Sequence, residues 1–159
     1  MNYTRSEWAG MITIMVDTNV LIYAHDRSER SKQRRAIDIL GRITVADSGV
    51  LSTQVLSEFY NTATRKLSPP LTLDQAEAQL SHFVAVWTVF GVTPRVVLEA
   101  VRGVREYGLS FWDAQIWAAA RLNQVPVIFS EDFNSGAVVE EVRFVNPFAE
   151  DFQPEDWGL

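Results

Sequence analysis

The stretch ITIMVDTN, at residues 12–19, passes abruptly from apolar to polar side chains. Its apolar part is short and rich in isoleucine and valine, which predicts a strand buried on both faces of a parallel sheet. The strand ends at Asp17, and Thr18 and Asn19 follow it. Because open α/β sheets bind ligands beyond the carboxyl ends of their strands, Asp17 is a candidate site residue. The alternative is that Asp17 or Thr18 simply caps a short apolar helix at residues 20–24.

The rest of the chain alternates predicted strands with predicted helices. Further strands are expected at residues 49–51, 86–90, 126–129 and 142–145, and helices at residues 29–42, 53–66, 73–85, 94–107 and 111–123. This alternation predicts an α/β fold with a parallel sheet of about five strands flanked by helices on both faces. A chain of 159 residues is large enough to form one such domain, which we place at residues 11–147. We expect a flexible extension at residues 1–10, unless translation starts at Met11, and a detachable acidic tail at residues 148–159.

The composition excludes several classes of site. The chain has no cysteine, which rules out disulfides, thiolate zinc sites and a cysteine nucleophile. No apolar run approaches the roughly 18 residues that span a membrane, and no signal-peptide pattern is present. We therefore expect a cytoplasmic protein with no membrane partner.

The net charge of −6 argues at first against a nucleic-acid partner, because phosphate binding usually requires a basic surface. A local patch can oppose the net charge, however. One basic cluster falls within nine residues and comprises Arg27, Arg30, Lys32, Arg34 and Arg35. It is a candidate contact for RNA or for an acidic protein, and the alternative is a solvated helix face.

Four acidic residues stand where a doubly wound sheet would gather them at one edge: Asp17, Glu58, Asp113 and Asp132. Each has a structural alternative. Glu58 fits an exposed helix position, Asp132 fits a turn, and Asp113 fits a capping box with Ser110. Asp113 carries the most weight, because its helix is apolar almost all round and should be buried. An ionised carboxylate on a buried face is costly unless it is paired or coordinated.

Carboxylates that crowd together raise one another's pKa values unless a cation neutralises them. Oxygen ligands without cysteine or histidine favour Mg²⁺ or Mn²⁺ over zinc. The chemistry that suits such a site is hydrolysis of a phosphodiester by an activated water.

The acidic motifs DTNVLIY (17–23), LSEF (56–59), LSFWDA (109–114) and SEDF (130–133) together resemble those of PIN-domain ribonucleases, in the same order. The resemblance covers about residues 11–147, and the nearest branch is that of the VapC-like toxins of toxin–antitoxin pairs. It implies an endoribonuclease that depends on Mg²⁺ or Mn²⁺, is usually a homodimer, and is inhibited by a cognate antitoxin. The residues carried over are Asp17 and Asp113 as principal metal ligands, Glu58 and Asp132 as the rest of the acidic pocket, and Thr18, Asn19 and Ser130 as hydrogen-bonding supports.

Trp112, beside Asp113, is a further candidate contact for an RNA base or the antitoxin. Two other functions remain open. One is a non-catalytic PIN-like binding or scaffold domain, although all four acids are retained. The other is a phosphatase of the haloacid dehalogenase type, which requires a second Asp where Asn19 stands and a later Lys, whereas the only lysines are Lys32 and Lys66.

Overall fold

The structure is a computed structural model that describes residues 12–159, so the predicted extension at residues 1–10 lies outside the described residues. Within that range, no helix is both long and apolar enough to cross a membrane. In chain order the elements are β1 (Ile14–Val16), α1 (Thr18–Tyr23), α2 (Arg30–Val45), β2 (Gly49–Ser52), α3 (Thr53–Arg65), α4 (Leu73–Val86), β3 (Thr88–Phe90), α5 (Pro94–Tyr107), α6 (Phe111–Leu122), β4 (Val127–Phe129), β5 (Val138–Val139), β6 (Val142–Val145) and a 3₁₀ helix (Pro154–Trp157).

The strands form one sheet in the order β3-β2-β1-β4-β6-β5. Every neighbouring pair is parallel except β5 and β6, which are antiparallel. The three side chains of β1 are fully buried, and successive side chains point to opposite faces, so both faces of the sheet are covered. The predicted α/β fold class is confirmed, with six strands because the two-residue β5 adds to the five expected.

The helices that carry candidate site residues begin at side-chain caps. The Ser52 hydroxyl accepts a hydrogen bond from the Val55 backbone N–H at the start of α3. The Ser110 hydroxyl does the same for Asp113 at the start of α6. These caps satisfy backbone donors that a helix leaves free at its first turn, and they confirm both predicted helix starts.

The carboxyl ends of the parallel strands meet at one edge of the sheet, and Asp17 and Asp132 follow two of these ends. The Asp17 backbone N–H donates to the Phe129 carbonyl at 2.9 Å, which joins the end of β1 to the end of β4. The Ser130 backbone N–H donates to the Val145 carbonyl at 2.9 Å, which joins the loop after β4 to β6. Backbone hydrogen bonds thus fix Asp17 and Ser130 beside each other.

The acidic tail packs on the domain, in contrast to the detachable segment expected. Phe152 is buried and meets the Phe129 ring edge to face at a centroid distance of 5.5 Å, and Trp157 meets the same ring at 6.1 Å. Arg35 donates hydrogen bonds to the Pro147 carbonyl, just before the tail, at 3.0 Å and to the Ala149 carbonyl within it at 2.7 Å. The tail packs on the domain despite its negative charge, because burial of its aromatic side chains removes large apolar surfaces from water.

Candidate active site

Asp17 lies buried at the start of α1, with only 4% of its surface exposed. One carboxylate oxygen, Oδ1, accepts a hydrogen bond from the Thr18 backbone N–H at 2.7 Å. The other, Oδ2, accepts one from the Ser130 hydroxyl at 2.7 Å. Asp17 therefore caps α1, as the structural alternative proposed, and also belongs to a polar cluster at the sheet edge.

Asn19 connects α1 to the loop after β4. Its side-chain Nδ2 donates to the Ser130 hydroxyl at 3.1 Å and to Oδ2 of Asp132 at 3.0 Å, while its Oδ1 accepts from the Glu131 backbone N–H at 3.3 Å. The Asp132 backbone N–H donates to the Ser130 hydroxyl at 3.1 Å. These bonds fix the Asp132 carboxylate relative to Asp17, so Asn19 and Ser130 have the geometry of supporting residues.

Glu58 is held at both of its carboxylate oxygens. The Thr18 hydroxyl donates to Oε2 at 2.9 Å, and the Gln54 side-chain Nε2 donates to Oε1 at 2.7 Å. Thr18 follows β1 and Gln54 lies one turn before Glu58 on α3. Glu58 is thus oriented toward the cluster by two separate elements, unlike a solvated helix glutamate.

Gln54 and Gln115 are two members of this polar cluster that were not predicted from the sequence. Both are buried, with 7% and 6% of their surfaces exposed. The Gln115 Nε2 donates to Oε1 of Gln54 at 2.8 Å, and the Gln54 Nε2 also donates to the Trp112 carbonyl at 3.1 Å. This amide pair joins α3 to the first turn of α6. The available signal was Gln115 itself, an amide inside the otherwise apolar run at residues 114–120.

Asp113 is only partly buried, which corrects the expectation that it lies on a buried helix face. Burial on α6 begins at Ala114, because the first turn of the helix lies at the edge of the sheet rather than in the core. A hydrogen bond from Gln54 to the Trp112 carbonyl holds this turn in place. Asp113 instead lines a groove together with Glu58 and Asp132. Trp112 is 62% exposed and lines the same groove.

The electrostatic interactions connect all four acids. The pKa of Asp17 is raised to about 7, mainly by burial. The hydrogen bonds from Ser130 and Thr18 lower this pKa, whereas the charges of Glu58 and Asp132 raise it further. Burial is also the main cause that raises the pKa of Asp113, and the Asp132 and Glu58 carboxylates contribute. Asp17 and Asp113 therefore lie where further negative charge is disfavoured.

The donor set fits a hard divalent cation by its chemistry, since the side chains that meet here offer only oxygen ligands and carry excess negative charge. Within residues 12–159, no three acidic or histidine side chains are preassembled around one point as an ion site. The fit rests instead on Asp17, whose ionised form is penalised by burial and by neighbouring carboxylates, a penalty that a cation offsets.

The basic cluster divides into two groups. Lys32 forms an ion pair with Glu131 and a hydrogen bond with the Tyr23 hydroxyl. Arg35 binds the Pro147 and Ala149 carbonyls. These two side chains stabilise the fold. Arg27, Arg30 and Arg34 are exposed and remain candidate contacts for a partner.

Gln115→Leu is expected to lower the free energy of unfolding by about 1–3 kcal/mol, because it leaves the buried Gln54 carbonyl oxygen without its donor. Urea denaturation measures the change. Gln153→Leu is the control, since Gln153 is exposed and makes no side-chain capping bond. Equal stability of the two variants would show that the amide pair contributes nothing.

A family model described as "PIN domain" matches residues 14–140. No curated protein sequence matches the chain significantly. The fold is similar to several solved structures, all with low sequence identity. A toxin–antitoxin complex from Klebsiella pneumoniae is 18% identical with a TM-score of 0.60, over 86% of this chain and 98% of that chain.

Two further structures show the same fold. DNA-bound VapBC from Salmonella typhimurium is 16% identical with a TM-score of 0.59, over 84% of this chain and 97% of that chain. VapC20 of Mycobacterium tuberculosis, a toxin that cleaves the sarcin–ricin loop, is 22% identical with a TM-score of 0.58, over 82% of this chain and 99% of that chain.

Proposed function

Because the chain belongs to the PIN domain family, we propose that it is an endoribonuclease dependent on Mg²⁺ or Mn²⁺ and the toxin of a toxin–antitoxin pair. The observation that carries this proposal is the buried Asp17 carboxylate, whose pKa is raised to about 7 beside two further carboxylates at the sheet edge. The toxins and toxin–antitoxin complexes that share the fold support the assignment. Membership of this family also disfavours the phosphatase alternative.

Each polar side chain of the site has a separate task in this proposal. Asp17, Glu58, Asp113 and Asp132 would hold the cation. Ser130 and the Thr18 backbone N–H fix the Asp17 carboxylate, and Thr18 and Gln54 fix that of Glu58 through the bonds described above. Asn19 orients Asp132. Asp113 and Asp132 are less buried than Asp17, and together with Glu58 they face the groove through which substrate would enter.

The chemistry that a divalent cation supplies when bound is activation of water and stabilisation of negative charge on the phosphoryl oxygens. The chain has no cysteine and no covalent intermediate is required. The carboxylates and their hydrogen-bond donors provide a preorganised polar environment, which avoids reorganisation during the reaction.

The proposed partners follow from the same assignment. RNA is the substrate, and a cognate antitoxin is the inhibitory protein partner. We further propose a homodimer in the cytoplasm. The exposed Arg27, Arg30 and Arg34 are the proposed contacts of the basic cluster with RNA or the antitoxin.

Purified protein is expected to cleave structured RNA in Mg²⁺ or Mn²⁺ and to lose this activity when a chelator is added, because the acidic site lacks positive charge without a cation. Gel analysis of end-labelled RNA measures the cleavage. Equal cleavage with and without chelator would contradict the metal dependence. RNA binding without cleavage in either metal would favour the scaffold alternative.

A further inference from the structure

A groove of about 800 Å³ extends from the acidic site along α3. Glu58, Asp113 and Asp132 line it at the acidic site, and Lys66, the residue that follows α3, lines it at the far end of the helix. The other α3 side chains that line it include Ser57, Asn61 and Thr62, which are uncharged. The groove therefore carries opposite charges at two separate places.

The distance between these charges sets a minimum length for a ligand that contacts both. Glu58, Thr62 and Lys66 recur every four residues and so share one face of α3. Eight residues of helix measure about 12 Å along the axis at 1.5 Å per residue. One step of a stacked nucleic-acid strand is roughly 3.4 Å. A ligand that reaches from the acids to Lys66 is therefore longer than a single nucleotide.

Lys66 is available for such a ligand. It is exposed, and it forms no ion pair with any carboxylate of residues 12–159, whereas Lys32, the chain's other lysine, is paired with Glu131. It is the one cationic side chain among the described residues that line the groove. A cation set apart from the acidic centre favours a second phosphate at Lys66.

Trp112 offers an aromatic surface in the same groove. Its side chain is 62% exposed, and the Phe111 ring meets it edge to face at a centroid distance of 5.2 Å. A base stacks on such a ring only when it is free of its own stacked neighbours, as in single-stranded RNA or a loop.

We propose that Lys66 and Trp112 are the residues of this groove that hold the RNA substrate. Lys66 binds a backbone phosphate away from the acids, and Trp112 stacks on an unstacked base of the same single-stranded segment. The assignment rests on the proposed function, since it concerns the substrate of the same site. The structural alternative for Lys66 is compensation of the α3 dipole at the helix end.

The test uses Asp17→Asn as a background in which RNA is not cleaved, with Mg²⁺ present. Fluorescence anisotropy measures the affinity for a labelled single-stranded RNA of about eight nucleotides, a length within the range of known single-strand sites. Adding Lys66→Gln is expected to weaken binding about fivefold at low salt and to lower the slope of log affinity against log salt by about 0.7, because one phosphate contact is lost. Lys66→Arg is expected to retain both values. Trp112→Ala is expected to weaken binding about tenfold with an unchanged salt slope.

The matched control is Arg105→Gln. Arg105 is an exposed cation at the C-terminal end of a helix, α5, as Lys66 is at that of α3, but Arg105 does not line the groove. It is expected to leave affinity and slope unchanged, which separates phosphate binding from the helix dipole.

An unchanged salt slope in Lys66→Gln would overturn the groove assignment, as would tighter binding of a duplex than of the single strand. Failure of the background protein to bind RNA at all would overturn it as well. RNA cleavage by the unsubstituted protein remains a separate test, so failure of the groove assignment is distinguishable from failure of the proposed function.

Discussion

Asp113→Asn is expected to lower the rate of RNA cleavage at least about a hundredfold while the fold is retained. The substitution removes a negative charge from the groove but keeps the size of the side chain. Its backbone N–H still donates to the Ser110 hydroxyl, so the start of α6 is preserved. Initial rates of cleavage in matched Mg²⁺ measure the effect, and thermal unfolding verifies the fold.

Asp74→Asn is the matched control for this substitution. Asp74 also lies in the first turn of a helix, α4, which has its own side-chain cap from Thr72. Both variants lose the same interaction with a helix dipole. If Asp113→Asn and Asp74→Asn cleave RNA at the same rate, Asp113 is not part of the active site.

Asp17→Asn is expected to stabilise the metal-free protein at alkaline pH relative to the parent. The pKa of Asp17 is about 7 in the folded protein and 3.8 in its unperturbed form. Between these values the folded state binds more protons than the unfolded state, so the parent loses stability as pH rises from about 4 to 7. The full cost is about 4 kcal/mol above pH 7, and the asparagine variant does not incur it.

Urea denaturation of both proteins in chelator, near pH 5 and near pH 8, measures this difference. The free energy of unfolding of Asp17→Asn minus that of the parent should increase toward pH 8. If the difference is the same at both values, the Asp17 carboxylate does not titrate as its burial implies. A less stable variant at both values would assign Asp17 a capping role alone.

The alternation of strands and helices was predictable because each element carries a local signal. Ser52, Thr72, Thr93 and Ser110 all accept a hydrogen bond from the first turn of the helix that each precedes. Strand β5 was not predictable, since two residues are too few to show a period and its pairing depends on β6. The packing of the tail was not predicted, because its acidic residues indicated an exposed segment. The contact between Phe152 and Phe129 joins distant parts of the chain and leaves no local signal in the sequence.

The candidate acids were predictable from their positions after strands and near the starts of helices. Their environments were not. The apolar pattern of α6 predicted that Asp113 is buried. The point at which a helix enters the core depends on tertiary packing, however, and burial on α6 begins one residue later, at Ala114. Gln54 and Gln115 were missed because a helix glutamine is ordinary until another helix is packed against it. Metal binding by these acids stays a prediction.

The central claim is that Asp17 and its neighbours bind a divalent cation that supports RNA cleavage. The most direct measurement compares the parent and Asp17→Asn on the same end-labelled RNA, in Mn²⁺ and in chelator. The parent is expected to cleave in Mn²⁺ alone, and Asp17→Asn in neither condition. Cleavage by Asp17→Asn at the parent rate in Mn²⁺, or by the parent in chelator, would contradict the claim.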